Sequence, residues 1–295
     1  MELQPETQTA KKPSWLKVRF PSHKNFFYVS NLIKEKNIHT ICQSAKCPNI
    51  SECWSHKTAT FLILGDTCTR NCGFCAVKKG APSSSLSDEA SHIAETVSLM
   101  GLNYVVITSV TRDDMEDGGA FRFAETISKI RETSPQAKVE ALIPDFNGNT
   151  SALQTVIDAH PDILNHNLEV PVSLYPLINR PKSFYDRSLG ILKTAAKKGM
   201  VTKSGLMIGL GEKMEDILQV FSDLKHAACK LLTLGQYLQP TQKHIRVQKY
   251  YSPLEFKQLG QIAFDFGFKD VVSGPLVRSS FQAQKMYDSV HENVI

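Results

Sequence analysis

The chain has 295 residues, 42% of them hydrophobic and 21% charged, which is the composition of a globular protein with one large domain or two small ones. No run of apolar residues approaches the roughly 18 to 20 that a transmembrane helix needs, so this composition excludes a membrane-spanning chain. The formal net charge of +5 lies within the first 60 residues, where nine Lys or Arg face four Glu.

The N-terminal sequence, Met1 to Pro5, has neither the charged and apolar regions of a secretory signal nor an Arg-rich amphipathic start. We therefore expect a soluble cytoplasmic protein. The basic extension favours an acidic partner, either a nucleic acid or an acidic protein, although residues 1–20 equally fit a solvated tail. Because no DNA- or RNA-binding module is recognisable, we expect an acidic protein partner, with no nucleic acid and no membrane.

Short apolar runs alternate with amphipathic stretches from residue 59 onward. In chain order the runs predict strands at 59–64, 104–107, 139–143, 163–164, 206–208, 231–234 and 271–272. The stretches between them predict helices at 87–100, 118–132, 150–159, 186–198, 214–229 and 253–266. Ser87 to Ala90 and Ser252 to Glu255 have the sequence of capped helix starts, and Gly199 and Gly267 that of helix stops.

Repeated βα units predict a parallel sheet with right-handed crossovers. About six such units, without a dinucleotide-binding glycine fingerprint after the first strand, favour a barrel over a doubly wound sheet. We therefore predict an α/β fold, a partial (β/α)6 TIM-like barrel over residues 59–273. Residues 1–58 and 274–295 are then an N-terminal extension and a C-terminal segment that cover the mouth of the barrel.

Polar and thiol side chains follow these strands at the end where barrel enzymes place their active residues. They are Cys68, Cys72 and Cys75 after the first strand, Arg112 and Asp113 after the second, Asp145 after the third, Asn165 to Glu169 after the fourth, Gly209 to Glu212 after the fifth and Gln236 to Pro240 after the sixth. We expect one mouth to collect them. Gly209 and Gly211 suggest close approach of the backbone to a ligand, since no phosphate-binding Lys-Ser or Lys-Thr follows.

Six of the seven cysteines fall between residues 42 and 75, as two triplets: Cys42, Cys47 and Cys53 in the pattern C-x4-C-x5-C, and Cys68, Cys72 and Cys75 in the pattern C-x3-C-x2-C. Three thiolates leave one position of a metal site open for chemistry, whereas a structural site is normally closed by four. We favour iron–sulfur clusters over zinc completed by His39 or His56, and over disulfides in an intracellular chain. The seventh cysteine, Cys229, is typical of a small buried hydrophobic residue.

The stretch from Gly65 to Cys75, GDTCTRNCGFC, resembles the cluster loop of the radical S-adenosylmethionine (SAM) superfamily. The upstream triplet of Cys42, Cys47 and Cys53 is more selective and resembles the lipoyl synthases in particular. The resemblance runs over residues 13–282 and includes VTRDDMEDGGA from Val110, LIPDF from Leu142, NHNLE from Asn165, KSGLM from Lys203, GQYLQP from Gly235 and GPLVRSS from Gly274.

The resemblance implies two [4Fe–4S] clusters. Cys68, Cys72 and Cys75 would hold the first, whose fourth iron binds the amino and carboxylate groups of SAM. Cys42, Cys47 and Cys53 would hold an auxiliary cluster, with a serine of the sequence Arg278-Ser279-Ser280-Phe281 as its fourth ligand. We assign this role to Ser280, with Ser279 as the second choice. The family has a tyrosine where this chain has Phe281.

Four polar side chains are candidates for binding SAM. We expect Glu169 to hydrogen-bond the ribose hydroxyls, Asn165 and Asn167 to bind the adenine or the methionyl group, and Arg180 to anchor SAM or the substrate amide. The alternatives are an ordinary surface carboxylate for Glu169 and a simple turn for the two asparagines. His166, at the same strand end, is more typical of a hydrogen-bonded scaffold residue than of a metal ligand.

The resemblance also implies a reaction. An electron passes from the first cluster to bound SAM, and the 5′-deoxyadenosyl radical that forms abstracts hydrogen from an unactivated carbon. The substrate is an octanoyl chain on a lysine of a lipoyl carrier domain, either a 2-oxoacid dehydrogenase E2 subunit or the glycine cleavage H protein. Sulfur enters at C6 and C8, and the auxiliary cluster supplies it. Further partners are an electron donor such as flavodoxin or ferredoxin and an iron–sulfur carrier that rebuilds the auxiliary cluster.

Two other functions are compatible with parts of this pattern. One is a different radical SAM enzyme that adds sulfur or a methylthio group to a small molecule or RNA, which the C-x4-C-x5-C spacing disfavours. The other is a two-cluster electron carrier or iron–sulfur sensor. Ferredoxins, however, fill their sites with four cysteines and need no barrel of this size.

Overall fold

The computed structural model of the chain describes residues 12–18, 20–82 and 88–291. Residues 1–11, residue 19, residues 83–87 and residues 292–295 lie outside it, and so does the predicted helix start at Ser87. In the part of the chain that is described, no helix combines the length and the apolar character that crossing a lipid bilayer requires.

The described residues form an eight-stranded sheet in which seven neighbouring strands are parallel. In sheet order the strands are β1 (His39–Thr40), β2 (Thr60–Ile63), β5 (Tyr104–Ser109), β6 (Lys138–Leu142), β7 (Ile163–Asn165), β8 (Thr202–Ile208), β9 (Leu231–Gln236) and β10 (Asp270–Gly274). β1 pairs antiparallel with β2 and is not predicted by the sequence pattern. A separate parallel pair, β3 (Thr67–Cys68) and β4 (Lys78–Lys79), brackets the second cysteine triplet.

A long helix lies between each pair of consecutive parallel strands. These helices are α4 (Glu89–Met100), α5 (Ala120–Thr133), α6 (Thr150–Asp158), α7 (Ser183–Lys197), α8 (Met214–His226) and α9 (Pro253–Asp265). The seven predicted strands and six predicted helices are therefore confirmed, with ends that differ by a few residues. The fold is the predicted partial (β/α)6 barrel, and β10 adds a seventh parallel strand at its edge.

Further helices lie before and after the barrel: α1 (Lys24–Glu35), α2 (Ile41–Ser44) and α3 (Ile50–Ser55) precede β2, and α10 (Ala283–His291) follows β10. Met286 of α10 packs against Ile163 and Leu231, and Tyr287 packs against Tyr104. Ile163, Leu231 and Tyr104 are the first residues of their strands, so α10 closes the N-terminal end of the barrel. The opposite end, where the strands finish, carries the site.

Sequence signals at helix ends explain several of these bounds. Ser252 accepts a hydrogen bond from the N–H of Glu255, whose carboxylate accepts one in return from the N–H of Ser252, so α9 begins with a capping box. Gly199 and Gly267 follow α7 and α9 with φ of +87° and +91°, a backbone conformation that glycine adopts without strain.

The start of α4 differs from the predicted cap. Asp88 makes no side-chain capping hydrogen bond. The carboxylate of Glu89 instead accepts hydrogen bonds from the N–H groups of Leu64 and Gly65, at 2.7 and 3.1 Å. These bonds tie the first turn of α4 to the end of β2, just before the second cysteine triplet.

Candidate active site

A cavity of about 490 Å³ lies at the C-terminal ends of the parallel strands, within the size range of ligand pockets. Five clustered cysteines line it: Cys42, Cys47, Cys68, Cys72 and Cys75. Cys53 is outside the lining. It lies close enough to Cys42 and Cys47 for their charges to add to the effect of burial, and together these raise the pKa of its thiol to about 12. The structure thus brings residues of both triplets to one cavity, at the end of the barrel where the topology predicts active residues.

The loop that carries Cys68, Cys72 and Cys75 is held at its two ends by the pairing of β3 with β4. The backbone N–H groups of Arg70 and Thr111 donate hydrogen bonds to Cys68 Sγ at 3.4 and 3.3 Å. Hydrogen bonds of this kind orient metal-binding sulfurs and tune their electron density. The loop backbone is therefore arranged as a metal-binding loop would be.

Arg70, between the first two cysteines of this loop, anchors it to two strand ends. Its guanidinium donates two hydrogen bonds to Asp113, at 2.8 and 2.9 Å, and one to Asp145 at 2.5 Å. Arg187 of α7 donates to the other carboxylate oxygen of Asp145 at 3.3 Å. Burial by itself raises the pKa of Asp145, but the hydrogen bond and charge of Arg70 outweigh it and hold that pKa below its ordinary value. Paired charges thus fix the loop in place.

The first triplet lies on the N-terminal extension, with Cys42 in α2, Cys47 just after it and Cys53 in α3. The N–H of Cys47 donates to the carbonyl of Cys42 at 2.9 Å, which brings these two residues together. Burial raises the pKa of the Cys42 thiol to about 11, close to the value for Cys53. Free thiols here are protonated near neutral pH, and iron binding would release their protons.

Each triplet has the donor set of an iron–sulfur cluster with one open iron. Among the residues that the structure describes, no three His, Cys, Asp or Glu side chains are arranged to hold one metal ion. A four-iron cube binds its thiolates at separate iron corners. Three thiolates would therefore hold three irons and leave the fourth iron for a different ligand.

Ser280 lines the cavity and contacts Thr60, the first residue of β2. Its hydroxyl accepts a hydrogen bond from Thr60 Oγ1 at 2.8 Å, and the backbone of Thr60 lowers the pKa of the neighbouring Cys42 thiol, against the larger effect of burial. Arg278 lies beside Cys47, where its charge opposes the rise that burial causes in the pKa of that thiol. The start of the C-terminal segment therefore lies at Cys47 of the N-terminal extension, whereas its helix α10 covers the opposite end of the barrel and not the mouth.

Ser279 belongs instead to a buried polar chain inside the barrel. It donates to Asn167 Oδ1 at 2.6 Å and accepts from Asn165 Nδ2 at 3.2 Å. Asn165 Nδ2 also donates to Glu140 at 2.7 Å, and Glu140 pairs with Lys203 at 3.0 Å, both without exposed surface. Neither Glu140 nor Lys203 is predicted from the sequence to have a role. A charged residue within a buried strand is the signal that would reveal them, because such a residue needs a partner.

Glu169 and Arg180 lie on the side of the cavity next to the second triplet. Arg180 Nε donates to Cys72 Sγ at 3.3 Å, and its guanidinium lies over the ring of Phe74. Glu169 has a left-handed backbone with φ of +72°. Burial raises the pKa of its carboxyl, against the charge of Arg180 and a hydrogen bond from Asn167. A perturbed carboxyl on a strained backbone is typical of a ligand-binding position.

Two glycines permit close approaches inside the barrel. A Cβ at Gly205 would lie 2.7 Å from Asn167 Oδ1, so Gly205 makes room for that amide. At Gly209, with φ of +108°, a Cβ would meet the side-chain amide of Gln236 and the carbonyl of Lys249. The prediction that Gly209 admits a ligand is therefore wrong, because groups of the protein itself occupy that space.

Two further sequence interpretations are confirmed. His166 makes hydrogen bonds from Nδ1 to the carbonyl of Ile143 and from Nε2 to the hydroxyl of Ser188, at 2.8 and 2.9 Å, so it is a scaffold residue. Cys229 has no exposed surface, and its Sγ lies 3.6 Å from the carbonyl of Thr202, away from the cavity.

Comparison with known proteins shows similarity over nearly the whole chain. A family model described as the Radical SAM superfamily matches residues 62–224. The chain is 51% identical over 277 residues to a lipoyl synthase of Caldicellulosiruptor saccharolyticus. The aligned region covers 93% of this chain and 97% of that protein. It is also 46% identical over 297 residues to a lipoyl synthase of Koribacter versatilis. That aligned region covers 100% of this chain and 97% of the relative.

Solved structures show a related fold at low sequence identity. The hydrogenase maturase HydG matches with a TM-score of 0.55 and 12% identity, over 77% of this chain and 61% of that one. SuiB of Streptococcus suis, in a structure with bound S-adenosylmethionine, matches with a TM-score of 0.53 and 13% identity. This match covers 74% of this chain and 50% of the SuiB chain. The chain thus spans less than two thirds of either structure, and the likeness concerns the fold alone.

Proposed function

Since the chain belongs to the lipoyl synthase family of the radical SAM superfamily, and therefore to the enzymes of lipoyl synthesis, we propose that it inserts sulfur at C6 and C8 of an octanoyl chain on a lysine of a lipoyl carrier domain. The observation that carries this proposal is that five of the six clustered cysteines, two from the first triplet and all three of the second, line a single cavity. One triplet would serve SAM, and the other would provide the sulfur.

Cys68, Cys72 and Cys75 would hold the SAM-binding [4Fe–4S] cluster. When bound, the cluster and SAM supply one-electron chemistry that activates an aliphatic C–H bond, which no amino-acid side chain does alone. The chain positions this loop through Arg70, whose ion pairs with Asp113 and Asp145 leave it little freedom to move. A fixed loop is needed because the reacting carbon must be presented within a narrow range of distances.

Asn165, Asn167, Glu169 and Arg180 would bind SAM. Asn165 is not among the residues that line the cavity, but its Oδ1 is buried and accepts no hydrogen bond from the described residues, so a donor group of a ligand that reached it would satisfy this oxygen. The Glu169 carboxyl, raised in pKa by burial, would accept hydrogen bonds from ribose hydroxyls. Arg180 stands between Glu169 and Cys72, where it would balance the carboxylate and the thiolate.

The auxiliary cluster would be held by Cys42, Cys47, Cys53 and Ser280, and it would be consumed as the sulfur-donating substrate. The contact between Thr60 and Ser280 supports Ser280 over Ser279 as the fourth ligand. A serine oxygen is a harder donor than a thiolate and suits iron less well, so it would leave the cluster readily when sulfur is removed.

We propose that an acidic carrier domain docks on the basic N-terminal extension. Among the described residues of the extension, the exposed lysines include Lys12, Lys17, Lys24, Lys34 and Lys46. Exposed charges act mainly on the rate of encounter and are screened by salt, so raising the salt concentration should slow carrier association. We also propose flavodoxin or ferredoxin as the electron donor and an iron–sulfur carrier for rebuilding the auxiliary cluster.

The test is anaerobic reconstitution with iron and sulfide, followed by an assay with SAM, a reductant and an octanoyl-lysine peptide. The expected result is 5′-deoxyadenosine and a peptide mass increased by two sulfur atoms. Cys42→Ala should still cleave SAM but form no carbon–sulfur bond, whereas the control Cys229→Ala should retain both activities. Sulfur insertion by Cys42→Ala, or protein that binds no iron, would contradict the proposal.

A further inference from the structure

The segment between β10 and α10 contains a four-residue turn at residues 278–281. The N–H of Phe281 donates to the carbonyl of Arg278 at 2.9 Å and closes the turn. Ser279 and Ser280 are its two central residues, which a closing hydrogen bond restrains together. A displacement of one serine therefore displaces the other.

The two serines face different halves of the active site. Ser279 donates to Asn167 Oδ1 at 2.6 Å, on the side where SAM is proposed to bind. Ser280 accepts from Thr60 at 2.8 Å, on the side of the first cysteine triplet. The turn is thus a direct connection, only two residues long, between the two sites.

Only one of the two contacts of Ser279 is free to change. Asn165 has no exposed surface and is held by Glu140, which is itself paired with Lys203 deep in the barrel. Asn167 is only partly buried and lines the cavity. A ligand in the cavity would therefore compete with Ser279 for the Asn167 amide and leave the Asn165 contact in place.

We propose that Ser279 is a positioning residue that couples SAM binding to the auxiliary cluster through Ser280. This inference rests on the proposed function, because it takes Asn167 as a SAM-binding residue and Ser280 as an iron ligand. When SAM engages Asn167, the Ser279 hydroxyl loses its acceptor, and the turn shifts Ser280 relative to Thr60. Coupling between two binding sites is reciprocal, so the auxiliary cluster must in turn change the affinity for SAM.

The experiment is a cycle of equilibrium SAM titrations on four anaerobically reconstituted proteins: the natural chain, Cys42→Ala, Ser279→Ala and the double variant. In the natural chain, loss of the auxiliary cluster through Cys42→Ala should change the Kd for SAM about fivefold or more, which is the lower range of coupling between sites. In the Ser279→Ala background the same loss should leave the Kd unchanged.

A second pair of variants tests whether the hydroxyl group is responsible. Ser279→Thr keeps the hydroxyl and should keep the coupling, whereas Thr60→Val removes the donor to Ser280 and should reduce it. Iron content, measured on every variant, shows which clusters are present independently of turnover. If Ser279→Ala or Thr60→Val couples SAM to the auxiliary cluster as strongly as the natural chain does, the inference is wrong. The proposed function fails by a separate result, when Cys42→Ala still yields the sulfur-containing peptide.

Discussion

Arg180 Nε lies 3.3 Å from Cys72 Sγ, so a positive charge stands beside one sulfur of the second triplet. Burial lowers the pKa of this guanidinium, but the charges of Cys72 and Glu169 outweigh burial and hold the pKa above its ordinary value. The side chain is therefore ionised at every pH at which the protein works. A fixed positive charge near a cluster favours the reduced state, which carries more negative charge.

Arg180→Gln should lower the reduction potential of the SAM-binding cluster. A hydrogen bond to a charged group is worth at least about 1.4 kcal/mol, which corresponds to roughly 60 mV for one electron. The measurement is a redox titration followed by electron paramagnetic resonance. Arg246→Gln, at an exposed position, is the control and should leave the potential unchanged. Equal potentials for Arg180→Gln and the natural chain would show that the guanidinium does not act on the cluster.

Gly205→Ala should weaken SAM binding. The added Cβ would lie 2.7 Å from Asn167 Oδ1 and 3.0 Å from Thr233 Oγ1, so the Asn167 amide must move away from the cavity wall. We expect the Kd for SAM to rise about tenfold, the equivalent of one lost hydrogen bond of roughly 1.4 kcal/mol.

Gly190→Ala is the matched control for Gly205→Ala, because nothing lies within 4 Å of its added Cβ. Gly190 is inside α7, where alanine is favoured over glycine by about 0.5–1 kcal/mol, so this variant should be slightly more stable with unchanged SAM affinity. Similar SAM affinities for the two variants would show that Asn167 does not bind SAM.

The barrel and the two triplets could be predicted from local sequence because their signals are local. Alternating apolar runs define strands and helices, and parallel strands necessarily bring their C-terminal ends to one side. The spacing within each triplet is likewise contained in a few residues. In contrast, the pairing of Ser280 with Thr60 joins residues 220 positions apart, and no periodicity in the sequence indicates it.

The ion pairs that hold the loop of the second triplet were also not predicted from the sequence. Arg70 lies within a recognisable motif, but its partners Asp113 and Asp145 come from two other loops. Which of several carboxylates pairs with an arginine depends on loop conformations that composition does not determine. The wrong expectation for Gly209 has the same origin, since sequence indicates a close approach but not which group approaches.

The stability contributed by Glu255 should depend on pH. The hydrogen bond from Lys249 and that from the backbone of Ser252 lower its pKa from 4.5 to about 2 in the folded protein. Because the folded pKa is depressed, the contribution is present above pH 4.5 and is lost as the pH falls toward 2. The free energy of unfolding of the iron-free natural chain should therefore exceed that of Glu255→Gln at pH 7, and the difference should shrink at pH 3. A difference that stays constant from pH 7 to pH 3 would contradict this assignment.

Replacing Lys203 alone should lower the free energy of unfolding far more than replacing Lys203 and Glu140 together. Lys203→Met leaves a carboxylate buried without its counter-charge, and we expect a loss of about 3–5 kcal/mol in the free energy of unfolding. In the double variant Lys203→Met with Glu140→Gln, a neutral amide replaces the carboxylate: its oxygen can accept from Asn165 Nδ2, and its NH2 can donate to the Tyr104 hydroxyl.

The double variant should therefore recover most of the stability lost in Lys203→Met, because no unpaired charge remains in the barrel. Urea unfolding of the three iron-free proteins measures the difference. If the double variant is as unstable as the single one, the cost comes from the packing of the Lys203 side chain and not from the buried charge of Glu140. That result would also weaken the view that Glu140 holds Asn165, and through it Ser279, in a fixed position.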